Sequence, residues 1–254
     1  RRRRRELTGM RVLLVHGVPD TPAMWSPLIE ALDLPEGEVL RPALPGFGTA
    51  TPAGFRPTKE HYADWLISEA ETAAADGPLH IFGHDWGALL TLRAASLRPD
   101  LFASWSVSNA LIDSQYRGHT LAKLWATPLV GELVMAGMRA PALARALTEQ
   151  GLPEPLARHE AAQMDAVMKR SILGLYRSAR GLRFRGEWED DLANLPSRGL
   201  VIWGEDDPYV PLATAERFAQ RWNYPLHVEH GAGHWAVVER APAIAEQLRA
   251  FWRQ

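Results

Sequence analysis

The segment Gly83 to Ala88, with the sequence GHDWGA, joins a short apolar run to a helical pattern and constrains the fold more than any other stretch. The run Leu79 to Phe82 has the character of a buried strand, and Leu89 to Ala95 has helical spacing. Glycine on both sides of the turn lets the backbone bend sharply. The sequence therefore predicts a strand, a tight turn and a helix, with the side chain of Asp85 held out over the helix N-terminus.

Such a strand, turn and helix form a nucleophile elbow, in which the residue at the tip of the turn attacks a substrate. With Asp85 at the tip, the nucleophile is a carboxylate. Its productive targets are saturated carbons that carry a leaving oxygen or halogen, because attack on a carbonyl gives an anhydride that readily reverses. The competing interpretation is a loop whose aspartate only caps the following helix, since Asp is a favoured N-cap residue.

The composition fits one large α/β core, alone or with a small inserted cap. The chain has 254 residues, of which 46% are hydrophobic and 23% charged, and its net charge is -2. It lacks cysteine, which excludes disulfides, thiolate metal sites and a cysteine nucleophile. Its histidines show no recognisable zinc-binding pattern, so we predict no metal and no other cofactor. The near-neutral charge gives no sign of a nucleic-acid partner.

Arg1 to Arg5 form a basic run with two interpretations. One is a nucleic-acid arm or a twin-arginine export signal. The other, which we favour, is a solvated tail, because the apolar stretch Met10 to Val15 is too short for the core of a signal sequence. No segment has the roughly 18 apolar residues that a membrane span requires. We therefore expect a cytoplasmic protein with no membrane or nucleic-acid partner, and a homodimer stays open.

A second turn follows the apolar run Arg11 to Val15 and has the sequence HGVP, His16 to Pro19. A strand that leads into this pattern commonly supplies one backbone N–H to an oxyanion hole. Here that donor is the N–H of Val18, and the N–H of Trp86 beside Asp85 is the second. The pattern also occurs by chance as a turn, but the elbow favours the functional interpretation.

Strand-like runs and helical patterns alternate along most of the chain, which predicts a mostly parallel sheet flanked by helices. Between Leu111 and Leu192 the chain is rich in Ala, Leu, Met and Arg and has no convincing strand. We expect a helical cap of three or four helices there, inserted between the core segments 1–110 and 193–254. Further strands are expected near Val39 and Leu40, at Ser104 to Ala110, at Gly199 to Trp203 and at Leu226 to Glu229, with helices at Glu60 to Ala75 and Pro242 to Trp252.

Two loops after later strands carry a carboxylate and a histidine. The loop Gly204 to Pro211 contains Asp206 and Asp207, and the glycine-rich loop Gly231 to Trp235 contains His234. The chain order of nucleophile, acid and histidine is that of catalytic triads on the α/β-hydrolase fold.

With these motifs in order, the whole chain resembles the α/β-hydrolase fold enzymes with an aspartate nucleophile, the branch that epoxide hydrolases and haloalkane dehalogenases share. The stretch ahead of Arg11 departs from the family, because it leaves little room for two opening strands. By this resemblance, Asp85 attacks carbon and His234 activates the water that hydrolyses the ester intermediate. The family spacing favours Asp207 over Asp206 as the acid that orients His234.

The leaving group separates the two sister activities. An epoxide leaves as an alkoxide, which needs a proton from a neutral acid such as tyrosine, whereas a halide needs only N–H donors. Tyr176 stands ahead of Asp207 at the spacing of the second cap tyrosine of epoxide hydrolases. Tyr116 is a poorer match to the first, because it follows Asp85 too closely. Ordinary packing in a helix from Ala161 to Arg180 is the alternative for Tyr176.

The dehalogenase interpretation rests on Trp86 together with a cap indole, Trp125 or Trp188, as halide donors. Val18 stands where many dehalogenases carry asparagine, so the resemblance favours hydrolysis of an epoxide to a vicinal diol. A non-catalytic ligand-binding protein is a third hypothesis, since a fold alone does not establish an activity. The Leu, Met and Trp content of the cap indicates a small apolar substrate. The expected pocket residues are Pro19, Trp125 and Trp235.

Overall fold

One parallel sheet forms the centre of the protein in the computed structural model, which describes residues 9–35 and 37–253. Its strands are β1 (Val12–Val15), β2 (Val39–Leu40), β3 (Leu79–His84), β4 (Phe102–Ser108), β5 (Gly199–Gly204) and β6 (Leu226–Glu229). Their spatial order is β2-β1-β3-β4-β5-β6, and every adjacent pair is parallel. The predicted α/β fold with a parallel sheet is confirmed. The basic run Arg1 to Arg5 lies outside the described residues.

Helices connect the strands and form the cap. They are α1 (Ser26–Leu32), α2 (Lys59–Ala73), α3 (Trp86–Leu97), α4 (Thr120–Ala126), α5 (Val130–Gly137), α6 (Ala140–Glu149), α7 (Glu154–Gln163), α8 (Ala166–Ser178), α9 (Glu187–Asp190), α10 (Leu212–Trp222), α11 (Ala236–Glu239) and α12 (Ala241–Trp252). Short 3-10 turns lie at Pro22–Trp25, Ala74–Asp76, Pro99–Leu101 and Asp191–Asn194. In the part of the chain that the structure describes, no helix has both the length and the hydropathy of a membrane span.

Both faces of the sheet are covered by helices, as the apolar strands require. Leu13 and Val15 of β1 join one buried cluster with residues of α2 and α3, whereas Val12 and Leu14 join another with residues of α1 and α12. Because all strands are parallel, their carboxyl ends meet along one edge of the sheet. The loops that carry the predicted site residues converge at that edge.

The cap segment differs from the expectation in how its helices are divided. It holds six α-helices, α4 to α9, where three or four were expected. The single helix expected from Ala161 to Arg180 is wrong, because the chain breaks between α7 and α8. Asp165 starts the second helix, since its side chain accepts a hydrogen bond from the N–H of Met168 at 2.8 Å. Helix α8 then carries Tyr176 towards the core.

The elbow glycines let helix α3 approach β1 and β3 so closely that no side chain fits between them. A Cβ atom on Gly87 would lie 2.0 Å from the carbonyl oxygen of Val15. A Cβ atom on Gly83 would lie 2.2 Å from the carbonyl oxygen of Gly87. The two glycines therefore set the position of α3, and with it the position of Asp85.

We expect Gly87→Ala to lower the free energy of unfolding by at least about 2 kcal/mol, because the helix or the strand must shift to admit a methyl group. Gly137→Ala in α5 is the matched control, since a Cβ atom there meets nothing within 4 Å. That change should be neutral or stabilise the helix by up to about 1 kcal/mol. Urea denaturation followed by circular dichroism measures both. Equal stability of the two variants would contradict the argument from close packing.

Candidate active site

Asp85 occupies the turn between β3 and α3 in a strained backbone conformation. Its φ is 50° and its ψ is -124°, values that residues other than glycine rarely adopt. Such strain costs on the order of 1–3 kcal/mol and persists only where the surrounding structure holds it. The residue is only 8% exposed, so its carboxylate depends on protein groups for solvation.

Two backbone N–H groups face this carboxylate, one from the turn after β1 and one from the elbow itself. The N–H of Val18 donates to Asp85 Oδ1 at 2.8 Å. The N–H of Trp86, the first residue of α3, also faces the carboxylate and favours its charged form. The peptide bond between Val18 and Pro19 is cis. Both oxyanion donors expected from the sequence are therefore placed against Asp85.

His234 stands between two carboxylates. Its Nδ1 lies 2.8 Å from Asp207 Oδ2, and its Nε2 lies 3.4 Å from Asp85 Oδ2. The imidazole belongs to a residue that is 3% exposed. The structure thus brings the three predicted triad residues together. Asp206, the rejected alternative to Asp207, is exposed, and its backbone N–H donates to the carbonyl oxygen of Ala232.

Asp207 is itself fixed by hydrogen bonds to both oxygens. Its Oδ1 accepts from the N–H groups of Tyr209 and Val210 at 2.7 and 3.0 Å. Its Oδ2 accepts from Nδ2 of Asn109 at 2.8 Å. The sequence analysis missed Asn109, although its place directly after β4 puts a polar side chain at the same sheet edge. Because Oδ1 accepts from two backbone N–H groups, Oδ2 is the oxygen that faces His234.

The pKa values of the triad follow from its mutual contacts. Burial opposes a charge on His234, but the charges and hydrogen bonds of Asp207 and Asp85 outweigh it and raise its pKa to about 10. Burial alone would raise the pKa of both carboxyls, yet the contact with His234 holds each below its usual value. At neutral pH the resting site therefore contains an imidazolium between two carboxylates.

Two further acids are buried near the triad, Asp20 and Glu160. Asp20 Oδ1 accepts a hydrogen bond from the indole of Trp235 at 2.9 Å, and Glu160 Oε1 accepts one from the hydroxyl of Thr21 at 3.2 Å. Burial raises the pKa of both carboxyls above their usual values, and the charge of Asp20 raises that of Glu160 further. Their neutral forms are therefore favoured, which limits the negative charge around His234.

A cavity of about 290 Å³ adjoins Asp85 and His234 and lies under the cap. The three residues expected to line a pocket, Pro19, Trp125 and Trp235, all do so. Leucine and methionine side chains from the cap form much of the remaining wall: Leu121, Met138, Leu143, Leu147 and Met164. Such a lining suits a small apolar ligand.

Tyr176 lines this cavity and is nearly buried, at 2% exposure. Its ring contacts the indoles of Trp86 and Trp125 edge to face, with centroids 5.4 and 4.9 Å apart. Burial, strengthened by the charge of Asp85, raises the pKa of Tyr176 well above its usual value. The nearby indole N–H of Trp86 offsets part of this rise in pKa, although the two groups are not hydrogen-bonded. Tyr176 is therefore a neutral hydroxyl donor beside the carboxylate.

Two residues weighed in the sequence analysis do not line the cavity. Tyr116 is partly buried, and its hydroxyl donates to the carbonyl oxygen of Tyr209 at 2.9 Å. Trp188 packs against Phe184 and lies under the Lys59 ammonium on another surface of the cap. Trp125 is thus the cap indole that the cavity contains, and its N–H has no hydrogen-bond partner among the described residues.

The cavity also contains two residues that the sequence analysis missed, His119 and Tyr209. Tyr209 packs on the ring of His234 with centroids 5.0 Å apart, and its hydroxyl donates to Gln150 Oε1 at 2.5 Å. His119 precedes α4 and contacts the ring of Tyr176 at 6.1 Å. Tyr209 lies in the loop after β5, two residues beyond Asp207, so its place near the site could have been inferred, whereas His119 precedes a cap helix and no pattern in the chain marked it. Among the described residues, no group of three or more acids and histidines is arranged to hold a metal.

The chain belongs to the alpha/beta hydrolase family, whose family model matches residues 12–247. A haloalkane dehalogenase of Mycolicibacterium paratuberculosis is 23% identical over 270 residues, covering 98% of this chain and 85% of that protein. A haloalkane dehalogenase of Psychrobacter cryohalolentis is 30% identical over 103 residues, which cover 40% of this chain and only 34% of that protein.

Solved structures of other hydrolases share the fold. The 2-hydroxy-6-oxo-6-phenylhexa-2,4-dienoate hydrolase of Rhodococcus sp. matches with a TM-score of 0.77 and 22% identity, covering 96% of this chain and 91% of the other. An epoxide hydrolase of Vigna radiata matches with a TM-score of 0.75 and 20% identity, covering 96% and 91%. At these identities the likeness establishes the fold alone.

The contacts of Asp207 predict a pH effect that can be measured directly. We expect Asp207→Asn to lower the pKa of His234 from about 10, because the imidazolium loses its main Coulombic partner and that partner's hydrogen bond. The ring then gives up its proton at a lower pH. An NMR titration of the imidazole nitrogens follows this change. Asp206→Asn is the control and should leave the titration unaltered; the opposite pattern would reverse the choice of acid.

Proposed function

We propose that the protein hydrolyses a small apolar epoxide to a vicinal diol through a covalent ester on Asp85. The observation that carries the proposal is the meeting of three groups at one cavity: the carboxylate of Asp85, the imidazole of His234 and the neutral hydroxyl of Tyr176. The first two groups suit attack on carbon and hydrolysis of an ester. The third suits a leaving oxygen that needs a proton.

In the first step an oxygen of Asp85 attacks a ring carbon of the epoxide. The C–O bond of that carbon breaks, and the released oxygen takes the hydroxyl proton of Tyr176. The product is a hydroxyalkyl ester on Asp85 and a tyrosinate. Since the pKa of Tyr176 lies well above its usual value, this hydroxyl is protonated before each turnover.

Ester formation removes the negative charge of Asp85, and this change prepares His234 for the second step. One of the two carboxylates that held the pKa of His234 near 10 is then neutral, so this pKa falls. The imidazolium therefore loses its proton more easily. The tyrosinate of Tyr176 is the base that receives this proton. The neutral imidazole, still oriented by Asp207, can now accept a proton from water.

The water adds to the ester carbonyl, and the resulting oxyanion is stabilised by the N–H groups of Val18 and Trp86. When this intermediate collapses, His234 donates its proton to the departing alkoxide and the diol is released. The carboxyl proton of Asp85 returns to His234. The cycle consumes one epoxide and one water and restores every side chain to its starting state.

Dehalogenation of a haloalkane is the second candidate, and one observation favours it. The indole N–H groups of Trp86 and Trp125 are buried and have no partner among the described residues. Trp125 lines the cavity that contains Asp85, where its free N–H would suit a departing halide. The similarity to the dehalogenase of Mycolicibacterium paratuberculosis supports the same chemistry. We place epoxide hydrolysis first because Tyr176 offers a proton to the leaving oxygen, and a departing halide needs no proton.

A trapped intermediate distinguishes the two activities. We expect His234→Gln, incubated with an aryl epoxide and a bromoalkane together, to accumulate a covalent ester because it lacks the base for hydrolysis. Intact-mass spectrometry should then show a gain equal to the whole epoxide, and the added change Asp85→Asn should abolish it. A gain equal to the alkyl group without bromine would replace this function by dehalogenation. No adduct from any epoxide or haloalkane in a broad panel would favour a non-catalytic binding protein.

The role of Tyr176 has its own test. We expect Tyr176→Phe to slow epoxide opening at least tenfold, because general acid catalysis contributes about 10²–10⁴-fold. Tyr116→Phe is the matched control and should change the rate less than threefold, since that hydroxyl is bonded outside the cavity. Single-turnover kinetics with an aryl epoxide measure both variants. Equal rates for the two would assign Tyr176 to packing alone.

A further inference from the structure

We propose that His119 is a second donor to the leaving oxygen, acting through its Nε2–H group beside Tyr176. This inference rests on the proposed epoxide opening and names a catalytic residue for it. His119 lines the same cavity as Asp85 and His234, yet it belongs to the cap rather than to the triad. Its ring also contacts that of Tyr176, with centroids 6.1 Å apart, so both side chains border the space where a released oxygen would lie.

The helix that follows His119 fixes which ring nitrogen carries the proton. Nδ1 of His119 accepts a hydrogen bond from the N–H of Ala122 at 3.2 Å and so caps α4. A neutral imidazole has one N–H and one acceptor nitrogen. Because Nδ1 is the acceptor, the proton resides on Nε2. This helix-capping hydrogen bond therefore leaves His119 with one donor, the Nε2–H group, on the side of the ring away from the helix.

His119 holds this form as a neutral group. Burial lowers its pKa to about 4, although the charge of Asp85 works in the opposite direction. A neutral imidazole does not form an ion pair with the nucleophile, which leaves Asp85 free to attack. It also has no readily lost proton to transfer. Its contribution is a hydrogen bond to the leaving oxygen, while Tyr176 provides the proton.

The hydroxyls of two neighbouring tyrosines are already engaged, whereas the Nε2–H of His119, like the indole N–H of Trp125, is not. The hydroxyls of Tyr116 and Tyr209 are bonded to a carbonyl oxygen and to Gln150. Nε2 of His119 has no hydrogen-bond acceptor in the part of the chain that the structure describes, and its ring meets that of Tyr176 at a centroid distance of 6.1 Å. The N–H of His119 and the hydroxyl of Tyr176 border one cavity with Asp85, and two such donors can together hold a single oxygen atom.

Two substitutions separate this donor from the helix cap. His119→Asn keeps a side-chain oxygen that can accept from the N–H of Ala122, but its amide is too short to replace Nε2. His119→Gln places an amide N–H near the position of Nε2 and is a poor helix cap. If His119 is a donor, His119→Asn should lose the N–H donor but keep the hydrogen bond that caps the helix. His119→Gln should keep the donor but lose the helix-capping bond.

The test is the rate of ester formation with an aryl epoxide, followed by quenched intact-mass spectrometry in the His234→Gln background. We expect His119→Asn to slow this rate at least tenfold with an unchanged Tm, and His119→Gln to remain within threefold of the parent with a lowered Tm. A purely structural role makes the rate follow the Tm, so the reverse ranking, or a parental rate in His119→Asn, overturns the inference.

The same experiment separates this inference from the function on which it rests. If the parent forms the epoxide ester but His119→Asn forms it equally fast, the epoxide hydrolase proposal stands and the role of His119 falls. If the parent forms no epoxide ester, both fall together. If Tyr176→Phe and His119→Asn each slow the step and the double variant departs from the product of the two effects, the two donors act on the same oxygen.

Discussion

A buried carboxylate that must stay charged is the constraint on which this site depends. Asp85 is removed from water by its place beneath the cap, so its charge has to be balanced by protein groups. The N–H of Val18 and the imidazolium of His234 supply that balance. His234 in turn needs Asp207, whose oxygens are held by Asn109 and the backbone of its own loop.

These successive charge and hydrogen-bond contacts explain why a parallel sheet suits the site. The partners of Asp85 come from segments that are far apart in sequence, after β1, β4, β5 and β6. The carboxyl ends of parallel strands meet at one edge of the sheet, and the loop after each strand can place a polar group there. The core thus contributes Asp85, His234 and the N–H groups of Val18 and Trp86, whereas the cap contributes Tyr176, Trp125 and His119 to the cavity.

The division between core and cap also decides what the sequence could predict. The core strands are apolar runs followed by turns with recognisable motifs. The order of these motifs identified Asp85 and His234, and the spacing of the family that the chain resembles favoured Asp207 over Asp206. The cap lacks such markers, because its helices are short and their positions depend on tertiary contacts. The break before α8 is set by Asp165, whose side chain caps the new helix, and the expected helix from Ala161 to Arg180 ran across this signal.

His119 and Asn109 illustrate two different reasons for a missed residue. Asn109 follows a strand that was predicted, so its place at the active edge could have been inferred from topology. His119 has no such relation to the sheet, since it begins a cap helix whose packing is not encoded in local periodicity. Tyr116 shows the converse, because a residue type and an approximate spacing did not place its side chain in the cavity.

The backbone of Asp85 carries a consequence for how such a chain can change over time. Its φ of 50° is a conformation that glycine adopts without strain, so glycine at this position would relieve the turn. Glycine would also remove the acceptor of the Val18 N–H and the anionic partner of His234. The strain of this backbone is therefore balanced by contacts that only the carboxylate makes, so the tolerance of the turn for other residues depends on those two partners.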